Sequence, residues 1–142
     1  MWGRSLDDVY LAGNGGVILH STNRGVSWGR ADVPEDVYDV RGSASGDVIA
    51  VGRLGSIWRG TDGGAAWTPW ASGATQHLKS VWKGVAGEAF VVGTQGTILH
   101  TTDGSTFSAQ TSGTTEDLDG VWGSGPDDVY AVGTNGVLLH LP

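Results

Sequence analysis

Val129-Tyr130-Ala131-Val132-Gly133-Thr134-Asn135-Gly136-Val137-Leu138-Leu139-His140 is the stretch that decides the fold. Two apolar runs flank a short link whose Gly and Asn tolerate the positive φ of a tight hairpin. The same phrase stands three times upstream. Its apolar quartets are Val9-Tyr10-Leu11-Ala12, Val48-Ile49-Ala50-Val51 and Ala89-Phe90-Val91-Val92, so the four copies start 39, 41 and 40 residues apart. Gly follows each quartet at once (Gly13, Gly52, Gly93, Gly133) and again three residues later (Gly16, Gly55, Gly96, Gly136). A fixed period of about 40 residues marks a repeat architecture, with each copy one supersecondary unit.

Each unit divides into four strands. Strand a carries a Trp element, Met1-Trp2-Gly3, Val81-Trp82-Lys83 and Val121-Trp122-Gly123, with Arg41 replacing Trp in the second copy. Strand b is the quartet. Strand c is the following apolar run, ending in His20, Arg59, His100 or His140, and strand d is expected to carry Trp28, Trp67 or Phe107. No apolar spacing of three and four persists, so helices are not expected. Strand b is apolar on consecutive residues, the pattern of a strand buried on both faces. A two-layer sandwich would alternate; blades stacked around an axis would not. The expectation is an all-β chain, a β-propeller of four-stranded blades, with blades at 1–36, 37–77, 78–117 and 118–142 and the last lacking its outer strand.

Between strands c and d, Ser21-Thr22-Asn23-Arg24-Gly25-Val26-Ser27-Trp28 and Gly60-Thr61-Asp62-Gly63-Gly64-Ala65-Ala66-Trp67 resemble the Asp-box, or BNR repeat, Ser/Thr-x-Asp-x-Gly-x-Thr-Trp. The third copy, Thr101-Thr102-Asp103-Gly104-Ser105-Thr106-Phe107, is one residue short, and the fourth stops before the motif. The whole chain is similar to the photosystem II stability/assembly factor propellers and related bacterial BNR-like propellers. That resemblance implies a fold and a protein partner, but no particular activity. The box also has a ligand-free explanation. Asn23, Asp62 and Asp103 would accept turn N–H groups, Gly25 and Gly64 would supply left-handed residues, and Trp28, Trp67 and Phe107 would pack back on the blade.

Bulk composition narrows the function classes. The 25 Gly coexist with 39% hydrophobic residues and seven Trp, which suits short strands and tight turns rather than disorder. With 15 acidic against 8 basic residues the net charge is −7, so nucleic acid and anionic membranes are not expected partners. There is no Cys, hence no disulfide or thiolate site, and no segment reads as a membrane span or targeting signal. Met1 stands where other copies have Val, directly before Trp-Gly, which points to a trimmed or engineered start and a missing native N-terminus.

Catalysis is not expected. A sialidase would need an arginine cluster and a Tyr–Glu pair, yet the arginines crowd the first half and the glutamates Glu35, Glu88 and Glu116 sit at turns or strand starts. His20, His100 and His140 occupy equivalent sites on different blades, too far apart for one metal, so neither metal nor cofactor is expected. Asp7-Asp8 and Asp127-Asp128 lack calcium-loop spacing and read as turn caps. The residues that break the repeat, Arg41, Arg53, Trp58, Arg59 and Trp70, are the candidate binding residues, because Arg and Trp anchor interfaces. An open arc also leaves two apolar blade faces wet, which predicts a homo-oligomer, favouring a closed head-to-tail dimer, with a compact four-bladed monomer as the rival and trimers or swapped strands as further alternatives. Three functional readings follow: a binding or scaffold module for a protein, a glycan-binding module using Trp2, Trp82 and Trp122, or a propeller fragment with no ligand.

Overall fold

The structure, a computed structural model, describes residues 1–43, 46–85 and 87–141. Four antiparallel sheets follow one another along the chain, each in sequential strand order. Blade 1 holds β1 (Trp2–Gly3), β2 (Val9–Ala12), β3 (Val17–Ser21) and β4 (Gly29–Asp32). Blade 2 holds β5 (Val37–Gly42), β6 (Val48–Gly52), β7 (Ile57–Thr61) and β8 (Ala66–Pro69). Blade 3 holds β9 (Leu78–Lys83), β10 (Ala89–Gly93), β11 (Ile98–Thr101) and β12 (Ser108–Gln110). Blade 4 has three strands, β13 (Leu118–Gly125), β14 (Asp128–Gly133) and β15 (Leu138–Leu141). Trp67 lies inside β8, whereas Trp28 and Phe107 stand just before β4 and β12 rather than within strand d.

Register is the same in every blade. The row Trp2–Tyr10–His20 of blade 1 recurs as Arg41–Ile49–Arg59, Trp82–Phe90–His100 and Trp122–Tyr130–His140. The b–c hairpins close through single 3-10 turns that end on two consecutive left-handed residues. The first of these is Gly15, Leu54, Gln95 or Asn135, with φ between 54° and 73°. Gly tolerates this region freely and Asn better than most, whereas Leu does not.

The core lies between blades rather than within them. One apolar cluster joins blades 1 and 2 through Tyr10, Ile18, Val40 and Val48. A second joins blades 2 and 3 through Ile49, Ile57, Val81 and Val91. A third joins blades 3 and 4 through Phe90, Ile98, Val121 and Val129. Consequently β6 and β10 are buried on every residue. In β14, whose blade has one neighbour, burial alternates: Val129 and Ala131 are buried, while Tyr130 and Val132 are 38% and 49% exposed. Double-sided burial is therefore a property of blade position, not of the strand b sequence alone.

Candidate functional site

Polar groups on the repeated rows are engaged inside the blades. Asp8, buried at the start of strand b, accepts from Arg4 and lies 2.8 Å from His20, whose ring stacks on Tyr10 at 3.9 Å. The unit recurs as Glu88–His100 stacked on Phe90, and as Asp128–His140 stacked on Tyr130. Blade 2 substitutes Asp47–Arg59 at 3.6 Å, with Ile49 in the aromatic slot. Asp8 thus pairs with Arg4 and His20 rather than capping a turn. Burial pushes its carboxyl up, but the hydrogen bonds from His20 and Arg4 outweigh that and leave it below its ordinary value. Among the described residues no group of three or more His, Cys, Asp or Glu is gathered as metal ligands.

The c–d turns are held by their own side chains. Asn23 Oδ1 accepts from Ser27 N at 2.9 Å, Ser21 Oγ accepts from Gly25 N, and Trp28 Nε1 donates to the Gly25 carbonyl. In the second turn Trp67 Nε1 donates to the Gly64 carbonyl, while the side chain of Asp62 lies outside the described residues. In the shorter third turn Asp103 Oδ1 accepts from Ser105 N, which holds its carboxyl down, and only Gly104 is left-handed. Phe107 packs on Trp70 at 4.7 Å.

The five residues that break the repeat do not form one patch. Arg41 hydrogen-bonds the Met1 carbonyl and pairs with Asp39. Trp58 packs into the junction between blades 1 and 2, with its indole N–H buried and unpaired. Arg59 stands over the Trp70 ring at 5.6 Å, and Trp70 Nε1 donates to the Ser105 carbonyl of blade 3. Arg53 alone of the five is exposed on a b–c turn.

Around Arg53 lies a group of residues the repeat pattern did not single out. Leu54 is left-handed at φ 55° and 60% exposed. Its N–H donates to His77 Nδ1 of blade 3 at 3.1 Å, so His77 accepts there and its ring is met edge-on by the exposed Tyr38. This is one of three junction latches, the others being Gly15 N to Asp36 and Gln95 N to Asp117. Next along the rim, Lys79 bridges Asp117 at 2.9 Å and Asp119 at 2.7 Å, and those bonds raise the ammonium and lower Asp117. A shallow groove runs here, lined by Leu54, Gln76, His77, Gln95 and Asp117. The one sequence signal for it is the Leu in a slot that otherwise holds Gly, Gln and Asn.

No family model matches the sequence, and no curated protein matches it. Solved structures do. YCF48 bound to D1 peptide superposes with a TM-score of 0.72 at 17% identity, over 93% of this chain and 45% of that one. An ancestral GH74 enzyme gives 0.70 at 15% identity, over 93% of this chain and 21% of that one. The chain spans less than half the length of the first and about a fifth of the second. At such identities the likeness shows the fold: a BNR-like β-propeller, of which these four blades form an arc.

Proposed function

We propose that this arc is a non-catalytic scaffold that binds an extended peptide segment of a partner protein on the rim formed by the b–c turns of blades 2 and 3. The observation that carries the reading is Leu54. A branched side chain in the left-handed region is disfavoured by roughly 1–2 kcal/mol, and here it also leaves an apolar group in water. Strain held at an exposed apolar residue points to use by a ligand rather than to the needs of the turn. Arg53 beside it adds a cation with planar donors, and Tyr38, His77 and the Lys79–Asp117 pair add polar and aromatic edges. YCF48, solved with a bound peptide, supports a peptide as the ligand class.

A glycan reading built on the repeated tryptophans is weakened because Trp2 and Trp82 are packed into junctions.

The test is selection of peptides from a display library on the wild-type chain, followed by titration against Leu54→Asn and Arg53→Ala. Leu54→Asn is expected to weaken a selected peptide at least about tenfold while the melting temperature holds or rises, since Asn135 fills the same slot. Recovery of no peptide, or unchanged affinity in both variants, would refute the reading.

A further inference from the structure

We infer that the two ends of the arc are halves of one blade junction, and that in solutions of this 142-residue chain a second copy, joined head to tail, covers both. A pairing rule is visible at the internal junctions. The Trp of strand a in one blade lies over the strand a Gly of the next. A Cβ on Gly42 would stand 2.5 Å from the Trp2 ring, and one on Gly123 would stand 3.0 Å from the Trp82 ring, whose Nε1 donates to the Gly123 carbonyl at 2.8 Å.

The middle junction shows that this position does not itself demand Gly. There the leading residue is Arg41, not Trp, and the facing position holds Lys83. Trp with Gly, Arg with Lys: the following residue is small where the preceding blade supplies an indole. Blade 4 supplies Trp122, and the strand a residue of blade 1 is Gly3.

Other residues agree. Tyr130, Val132 and Leu138 are 38%, 49% and 66% exposed, whereas the matching Phe90, Val92 and Ile98 of blade 3 are buried to 2% or less, and Trp122 is 64% exposed where the matching Trp82 is half-buried. On the opposite end, Met1 is 75% exposed, although its counterparts Val40, Val81 and Val121 sit in junction clusters. Val9, Leu11 and Leu19, which match the junction residues Val48, Ala50 and Trp58, are only half-buried. Tyr10 donates its hydroxyl to the carbonyl of left-handed Gly63 across the first junction at 2.8 Å. Tyr130 holds the same place in blade 4, and Arg24, left-handed at φ 63°, holds the place of Gly63 in blade 1.

An unrelated partner on one end would leave the other uncovered. Covering both ends would need one surface that receives Trp122 and another that fits over Gly3. A second copy brings both, and a twofold head-to-tail pair uses the same junction twice with no face left over. This proposal concerns the end faces and is independent of the peptide rim.

The test is light scattering or sedimentation of the 142-residue chain over a dilution series, with Leu138→Glu and Trp122→Ala. Both side chains are exposed in the single arc, so the internal junctions and the melting behaviour of the diluted chain should be kept. The wild type is expected at twice the 14.7 kDa chain mass, and each variant at the single mass or with a dimer constant weakened at least about tenfold. Val85→Glu, equally exposed but away from either end face, should leave the wild-type mass unchanged. A single-chain mass at every concentration would overturn the proposal. So would a dimer that both end-face variants leave intact, and so would larger open chains in place of a dimer.

Discussion

Asp8 shows how much of the chemistry in this chain is turned inward. It is buried and acidic, in contact with both Arg4 and His20, and the arrangement recurs in later blades with a different acid or base. Its folded-state pKa lies below the ordinary 3.8. The sign follows from linkage. A carboxyl depressed by folding contributes stability that is fully present above the unfolded pKa and is lost as pH falls through the lower folded value. Asp8→Asn is therefore expected to destabilise the chain near neutrality, and the gap from wild type should narrow once pH drops below about 3.8. Thermal melts of both proteins across the acid range measure it; parallel curves throughout would remove Asp8 from the account. The pairing was half-visible in the sequence, since an acid before strand b and a basic residue ending strand c recur in all four copies. What the sequence did not display was the antiparallel register that sets Tyr10 opposite His20 and brings Asp8 within reach of it.

At the level of strands and junctions, the repeat made the blades readable because quartets and hairpins of like pattern and spacing form like sheets. The consecutive apolar residues of β6 and β10 announced burial on both faces, and both strands are fully buried. Junction chemistry was less readable, because its partners lie about one repeat apart in otherwise plain loop positions. The three latches rest on Asp36, His77 and Asp117, which belong to no motif and share only their place before strand a. Similarly, Trp70 and Arg59 stood out as departures from the repeat, and in the structure Trp70 ties blade 2 to blade 3 while Arg59 stands over its ring. The Trp–Gly pairing gives a sharp test at this scale. Gly42→Leu drives a side chain into the Trp2 ring and should cost about 1–3 kcal/mol. Lys83→Leu, at the matching place opposite Arg41, should cost under about 1.5 kcal/mol. Chemical denaturation reads both. Adding Trp2→Ala to Gly42→Leu should recover part of the loss, a coupling that a double-mutant cycle isolates; strictly additive effects would mean that the ring and the glycine do not sense each other.

Across the whole molecule, stability should be distributed as in a one-dimensional array, where each unit is held by its own terms plus its contacts with neighbours. Blades 2 and 3 have two junctions each and blades 1 and 4 have one, so protection from exchange should follow blade position rather than strand type. In dilute solution the amides of Val48–Gly52 and Ala89–Gly93 are expected to exchange most slowly, and those of Val9–Ala12 and Asp128–Gly133 faster, although all four are the same strand of the same repeat. Hydrogen exchange read by mass spectrometry resolves the comparison, because strand b quartets of like composition serve as internal controls for one another. Raising the concentration then separates two states of the chain. If a second copy covers the ends, β2 and β14 slow toward the rates of β6 and β10, while the middle blades change little. Equal protection in all four blades at high dilution would contradict the nearest-neighbour picture, since the outer blades would then hold their strands without the contacts that bury β6 and β10.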